Sequence, residues 1–92
     1  MAEALAAFAA GLAQMPRRPR VTPLAVSEFG RRLHQNASGG TDHGSGSIAL
    51  VLGDHLPAPL LGTYPSLANL DGRGDLIASI SPPELDRQVL SL

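Results

Sequence analysis

Ninety-two residues allow one small domain, and a chain of that length hides only about 60–65% of the surface its unfolded form exposes. Eight acidic residues against seven arginines leave a net charge of −1, which gives no basis for binding nucleic acid or an anionic membrane. The absence of cysteine excludes disulfide and thiolate chemistry, and no apolar run approaches the ~20 residues of a membrane span. Only Phe8, Phe29 and Tyr64 are aromatic, so Leu and Ala must supply most of any core. Ten glycines and eight prolines, concentrated after Gly39, make the second half rich in loops.

Residues 1–15 read as a helix. Leu5, Phe8, Leu12 and Met15 recur at spacings of three and four and so share one face, while alanine fills much of the rest. Glu3 stands where a signal peptide needs positive charge, and the arginines follow the apolar stretch instead of preceding it, so this is not read as an export signal. Pro16 ends the helix and "PRRPR" is a solvated connector. "VTPLAVS", residues 21–27, reads as a strand apolar on both faces, with Pro23 near its start where a missing N–H is tolerated. "SEFGRRLHQ" predicts a turn with one helical turn at most, and residues 28–47 as a whole are expected to form a site loop. "IALVL", residues 48–52, is a second apolar strand, 53–75 is irregular, and 76–80 is a short edge strand. Residues 82–91 carry helix-start chemistry: Ser81 can cap, Pro82 suits the first helical position, and Glu84 stands where a capping box needs it. Leu85 and Val89 then share a face. This order predicts a single truncated α/β domain, 1–92: a partial, open, mostly parallel sheet of two or three strands between an N-terminal and a C-terminal helix.

In open α/β sheets, ligands gather at the carboxyl ends of strands. The first strand ends at Ser27-Glu28, and the glycine-rich stretch "GGTDHGSGS" leads from that end into the next strand. Glu28, His34, Asp42 and His43 are therefore candidates to converge, and carboxylate with imidazole suits Zn, Mn or Fe. Neighbouring residues in extended chain point opposite ways, so Asp42 and His43 should not both bind one ion. They are otherwise solvated loop residues. Asp54-His55 lies about 20 Å further along a straight strand and reads as a surface turn. The glycines lack a Walker lysine, and Ala49 stands where G-x-G-x-x-G needs its third glycine, which argues against a nucleotide loop. "GRGDL" contains Arg-Gly-Asp, read here as a chance match in a glycine-rich turn. Ser27 has no base placed by sequence, so no nucleophilic triad follows.

The run "VTPLAVSEFGRRLHQNASGGTDHG" resembles the C-terminal part of the DUF1501 family, a bacterial group of unknown function related to alkaline phosphatases and sulfatases. The matching signature is Ser27 to Arg31, Gly39 to Gly44, and Leu52-Gly53, with weaker matches through "GTYPSL" to "GDL". The resemblance implies an alkaline-phosphatase-like domain, of which this chain would be a fragment. It implies Glu28 and His43, with Asp42 next, as ligands of a divalent metal, Zn or Mn. It also implies a missing N-terminal half that would supply the nucleophile, the other ligands and a twin-arginine export signal. "GDHLPAP" and the ending "ISPPELDRQVL" depart from the family pattern. The resulting expectation is a segment inactive alone, its partner the missing half or a second copy. The alternative is a non-catalytic interaction module that pairs through exposed sheet edges.

Overall fold

Alanine-rich composition and a three-four apolar spacing give helix α1, Ala2–Ala13, inside the span predicted from the sequence. Glu3 in its first turn complements the helix dipole, but no side chain caps the N-terminus. The computed structural model describes residues 1–17 and 20–92; of the predicted connector at 16–20, Arg18 and Pro19 lie outside the described residues. Four short strands follow: β1 (Leu24–Val26), β2 (Gly30–Gln35), β3 (Thr41–Gly44) and β4 (Ala49–Val51). Helix α2, Pro82–Leu90, ends the order. No described helix is long and apolar enough to cross a membrane.

The strands do not form the expected parallel sheet. They form two separate antiparallel pairs, β1 with β4 and β2 with β3. Leu24 faces Val51, Ala25 faces Leu50 and Val26 faces Ala49. The Leu52 N–H extends this ladder to the Pro23 carbonyl at 3.0 Å. The reason for the antiparallel outcome is the connection. A parallel pair needs a crossover, usually helical, that carries the chain back to the same end. Here residues 27–48 fold as a hairpin nested between β1 and β4, which delivers β4 running the other way.

That hairpin also replaces the loop expected at 28–47. Asn36 closes it. Its Oδ1 accepts the Ser38 and Gly40 N–H groups, each at 3.0 Å, and its own N–H donates to the Gly40 carbonyl at 2.8 Å. Gly39 takes φ +80°, a conformation that costs an L side chain but not glycine. Arg31 pairs with His43 and Gly30 with Gly44, and the register shifts between Arg31 and Gln35. Gly30 is buried, and a Cβ on it would overlap the Gly46 backbone, so the chain approaches itself too closely there for any other residue.

The predicted edge strand at 76–80 does not form. Leu76 makes an isolated antiparallel bridge to Leu70, and Ser79 is held instead by its side chain, which accepts the Thr63 N–H at 3.0 Å. Helix α2 starts as the sequence indicates, with Ser81 as cap accepting the Glu84 N–H at 3.4 Å and proline in the first turn. The second half of the capping box is replaced. The Glu84 carboxylate turns forward to Arg87 and Gln88.

Among the described residues no apolar side chain is buried. Ile48 is 77% exposed and Val26 63%, although both come from stretches whose sequence demands cover on two faces. Among the described residues the backbone of helix α1 comes close to no other helix or strand, whereas Leu85 of α2 lines a cleft with Val26 of β1 and Val51 of β4. The accessible surface is 7229 Å², where a compact chain of this mass exposes about 5,000 Å². The radius of gyration is 16.4 Å, against about 12 Å for a compact chain of this length.

Candidate functional site

Helix α1 stands apart, and the chemistry gathers at the nested hairpin. Phe29, entering β2, is half-buried and carries the His43 ring stacked on it, with centroids 3.4 Å apart and planes 17° from parallel. The Arg31 guanidinium lies 5.1 Å from the same ring centre, within cation–π range, and donates to the Thr41 carbonyl at 2.8 Å. His43 is thus held by its face, through an aromatic neighbour two residues before its cross-strand partner. Its ring nitrogens make no hydrogen bond among the described residues.

The other predicted ligands are placed differently. Glu28 is exposed in the bend between β1 and β2 and has no described partner. It lines a cleft of about 370 Å³ with Val26, Ser27, Ile48, Tyr64 and Leu85; His43 does not line that cleft. Asp42 on β3 accepts the Asn36 Nδ2 at 3.0 Å, so one of its oxygens fastens the hairpin turn. His34 on β2 approaches Gly74, as does Arg32, and belongs with the loop at 71–75 instead. His55 lies in an exposed turn and lines a second cleft with Asp54, Val21 and Leu92. No group of three or more His, Asp or Glu that could hold a metal ion occurs among the described residues.

Ser27 does not have the surroundings of a nucleophile. Its hydroxyl donates to the Phe29 carbonyl at 2.9 Å, which leaves Ser47, 2.7 Å away, as donor to it. Neither neighbour is a base.

Sequence reasoning missed the polar cluster around the buried Asp75. Asp75 is 1% exposed, and its Oδ1 accepts the Arg32 Nε at 2.8 Å. Its Oδ2 is buried without a partner. Arg32 also donates to the Arg73 carbonyl. The N–H groups of Asp75 and Arg73 donate to Asp71 Oδ1 at 2.9 and 2.8 Å and hold the Asp71 carboxyl below the usual carboxylate range. Gly74 takes φ +81°, which closes this turn. The Arg-Gly-Asp tripeptide is therefore part of a locked loop with its aspartate hidden, not a displayed recognition sequence. The available signal was two aspartates four apart around glycines, which is turn chemistry.

Neither a curated protein nor a solved structure matches the chain. A family profile described as "Protein of unknown function (DUF1501)" matches residues 1–69, which takes in α1, all four strands and every predicted ligand, but not the 71–75 loop or α2. By that match, three quarters of its length, the chain belongs to the DUF1501 family.

Proposed function

We propose that the chain is a non-catalytic piece of a metal-dependent hydrolase of the alkaline-phosphatase and sulfatase type, contributing Glu28 and His43, with Asp42 behind them, to a divalent-metal site that another polypeptide completes. One observation carries the reading: no apolar side chain is buried among the described residues, so the apolar surface of β1, β4 and α2 requires cover from outside the chain. The donor types suit Zn or Mn, since an imidazole steadied by Phe29 and a carboxylate free of partners are both borderline-metal ligands. Their number does not suit a closed site, which takes four ligands in a tetrahedron. No chemical step is therefore assigned to these residues alone.

A second reading, a pairing module without metal, is favoured by the exposed Val26 and Leu50 on the β1–β4 pair, whose outer edges are open. Titration calorimetry with Zn and Mn separates the two. The hydrolase reading expects weak binding by the wild type, lost in His43→Ala and kept in His55→Ala, with no turnover of phosphate or sulfate esters. Equal binding by wild type and His43→Ala removes the site, and ester turnover by the chain alone overturns the non-catalytic reading.

A further inference from the structure

The cleft at Glu28 is lined by Val26 of β1, Val51 of β4, Leu85 of α2 and, from the segment between, Leu61 and Tyr64. Its volume of about 370 Å³ lies in the range of small-molecule sites. The lining is fixed by bonds inside the chain. The Thr63 N–H donates to Ser79 Oγ at 3.0 Å, and the Ser79 hydroxyl donates back to the Thr63 carbonyl at 3.3 Å. Gly62 takes φ +81°, and a Cβ on it would meet Ser79 Oγ at 2.5 Å, so residues 62 and 63 are pinned against Ser79.

Most polar groups of the cleft are spent within the chain. Ser27 and Ser47 bond each other, Ser79 holds Thr63, and Ser81 caps α2. The hydroxyls of Ser45, Thr63 and Tyr64 both give and accept hydrogen bonds, so they select no ligand charge. Glu28 is the one charged side chain among the described residues lining the cleft, and its carboxylate has no described partner. An ionised carboxylate accepts and cannot donate. The group that complements it must bring a donor, and a cationic donor bonds it most strongly. We propose that the cleft binds a small apolar amine as its ammonium ion, with the hydrocarbon part against Val26, Val51 and Leu85 and the charged head on Glu28. This goes beyond the metal reading and needs no metal: His43 does not line the cleft.

The test is titration of the metal-free full chain with octylammonium, octanol and octanoate at pH 7. Tyr64 is the only tyrosine, tryptophan is absent, and the ring is 84% exposed, so its fluorescence reports cover of the cleft. Octylammonium should bind roughly 3-fold more tightly than octanol, the modest factor of an exposed ion pair, and octanoate the least. Glu28→Gln should bring octylammonium to the level of octanol and leave octanol unchanged. Asp86→Asn, on α2 but outside the cleft, should keep the preference. Ile48→Ser, at an exposed lining residue, should weaken octylammonium and octanol alike. Absence of any Tyr64 response removes the cleft as a site. Equal binding of the three probes, tighter binding of octanoate, or a preference that survives Glu28→Gln overturns the role of Glu28. Each of these failures leaves the zinc and manganese titration to be decided separately by His43→Ala.

Discussion

Arg32 and Asp75, 43 positions apart, are joined by a hydrogen bond of 2.8 Å from Nε to Oδ1, with the carboxylate buried and the guanidinium side chain 30% exposed. The pair ties β2 to the 71–75 loop and so links the family-matched part of the chain to the part beyond it. Removing one partner of a buried pair leaves an uncompensated charge, at a cost of about 3–5 kcal/mol, and the partial exposure of Arg32 favours the lower end. Arg32→Ala should therefore speed exchange of the Gly74 and Asp75 amide hydrogens by roughly 100-fold. Asp75→Asn should cost less, because it keeps an acceptor for Arg32 while removing the charge on the unpartnered Oδ2. Unchanged exchange in Arg32→Ala would show that the pair does not hold the loop.

The β2–β3 hairpin is closed by Asn36. Its side chain accepts two backbone N–H groups and donates to Asp42. Asn36→Ala orphans those groups in a turn that water can reach, so a loss of about 1 kcal/mol is expected. Cross-strand contacts between Arg31 and His43 in an NMR spectrum would weaken accordingly. Retention of the full contact intensities would assign closure to Gly39 alone.

What the sequence disclosed, and what it hid, follows from range. Both helices were legible because their signals are local: the apolar spacing of α1, and Ser81 with Pro82 ahead of α2. β1 and β4 were legible as apolar runs, but their direction was not, because it depends on the segment between them. That segment, "GRRLHQNASGGTDHG", lacks both the apolar alternation and the Asn-Gly turn that announce a hairpin. Its closure comes from one asparagine side chain and one positive-φ glycine. The grouping of the site failed to emerge for the same reason. Spacing along a presumed loop brought His34, Asp42 and His43 together, whereas strand geometry sends His34 to Gly74, Asp42 to Asn36 and His43 to Phe29.

Acid should loosen α2 through Glu84. Hydrogen bonds from Arg87, then Gln88, pull its carboxyl down to about 2 from the ordinary 4.5. A carboxyl whose folded value is depressed stabilises the fold fully above its unfolded value and loses that contribution as pH falls through the folded one. The contribution of Glu84 is thus complete above about pH 4.5 and fades toward pH 2. The Glu84 carboxyl carbon resonance should titrate with a midpoint near 2 and move with the amide shifts of residues 85–88. Glu84→Gln should remove that transition, and a wild-type midpoint near 4.5 would show that the bonds to Arg87 and Gln88 do not persist in solution.

Two glycine-to-alanine changes should act in opposite directions because their surroundings differ. At Gly11 a new methyl group meets nothing within 4 Å inside the chain, and glycine in a helix interior costs about 1 kcal/mol relative to alanine. Gly11→Ala should raise helicity measured by circular dichroism. At Gly30 the same methyl overlaps the Gly46 carbonyl, and backbone cannot yield as a side-chain tip does. Overpacking of that kind costs about 1–3 kcal/mol, a large share of what a chain can hold when no apolar side chain is buried among its described residues. Gly30→Ala should therefore separate the hairpin from residues 45–47, raise hydrogen exchange across β2 and β3, and weaken any metal binding that depends on the Phe29–His43 stack. Indifference of hairpin exchange to Gly30→Ala would mean that the approach of Gly30 to Gly46 is not kept in solution.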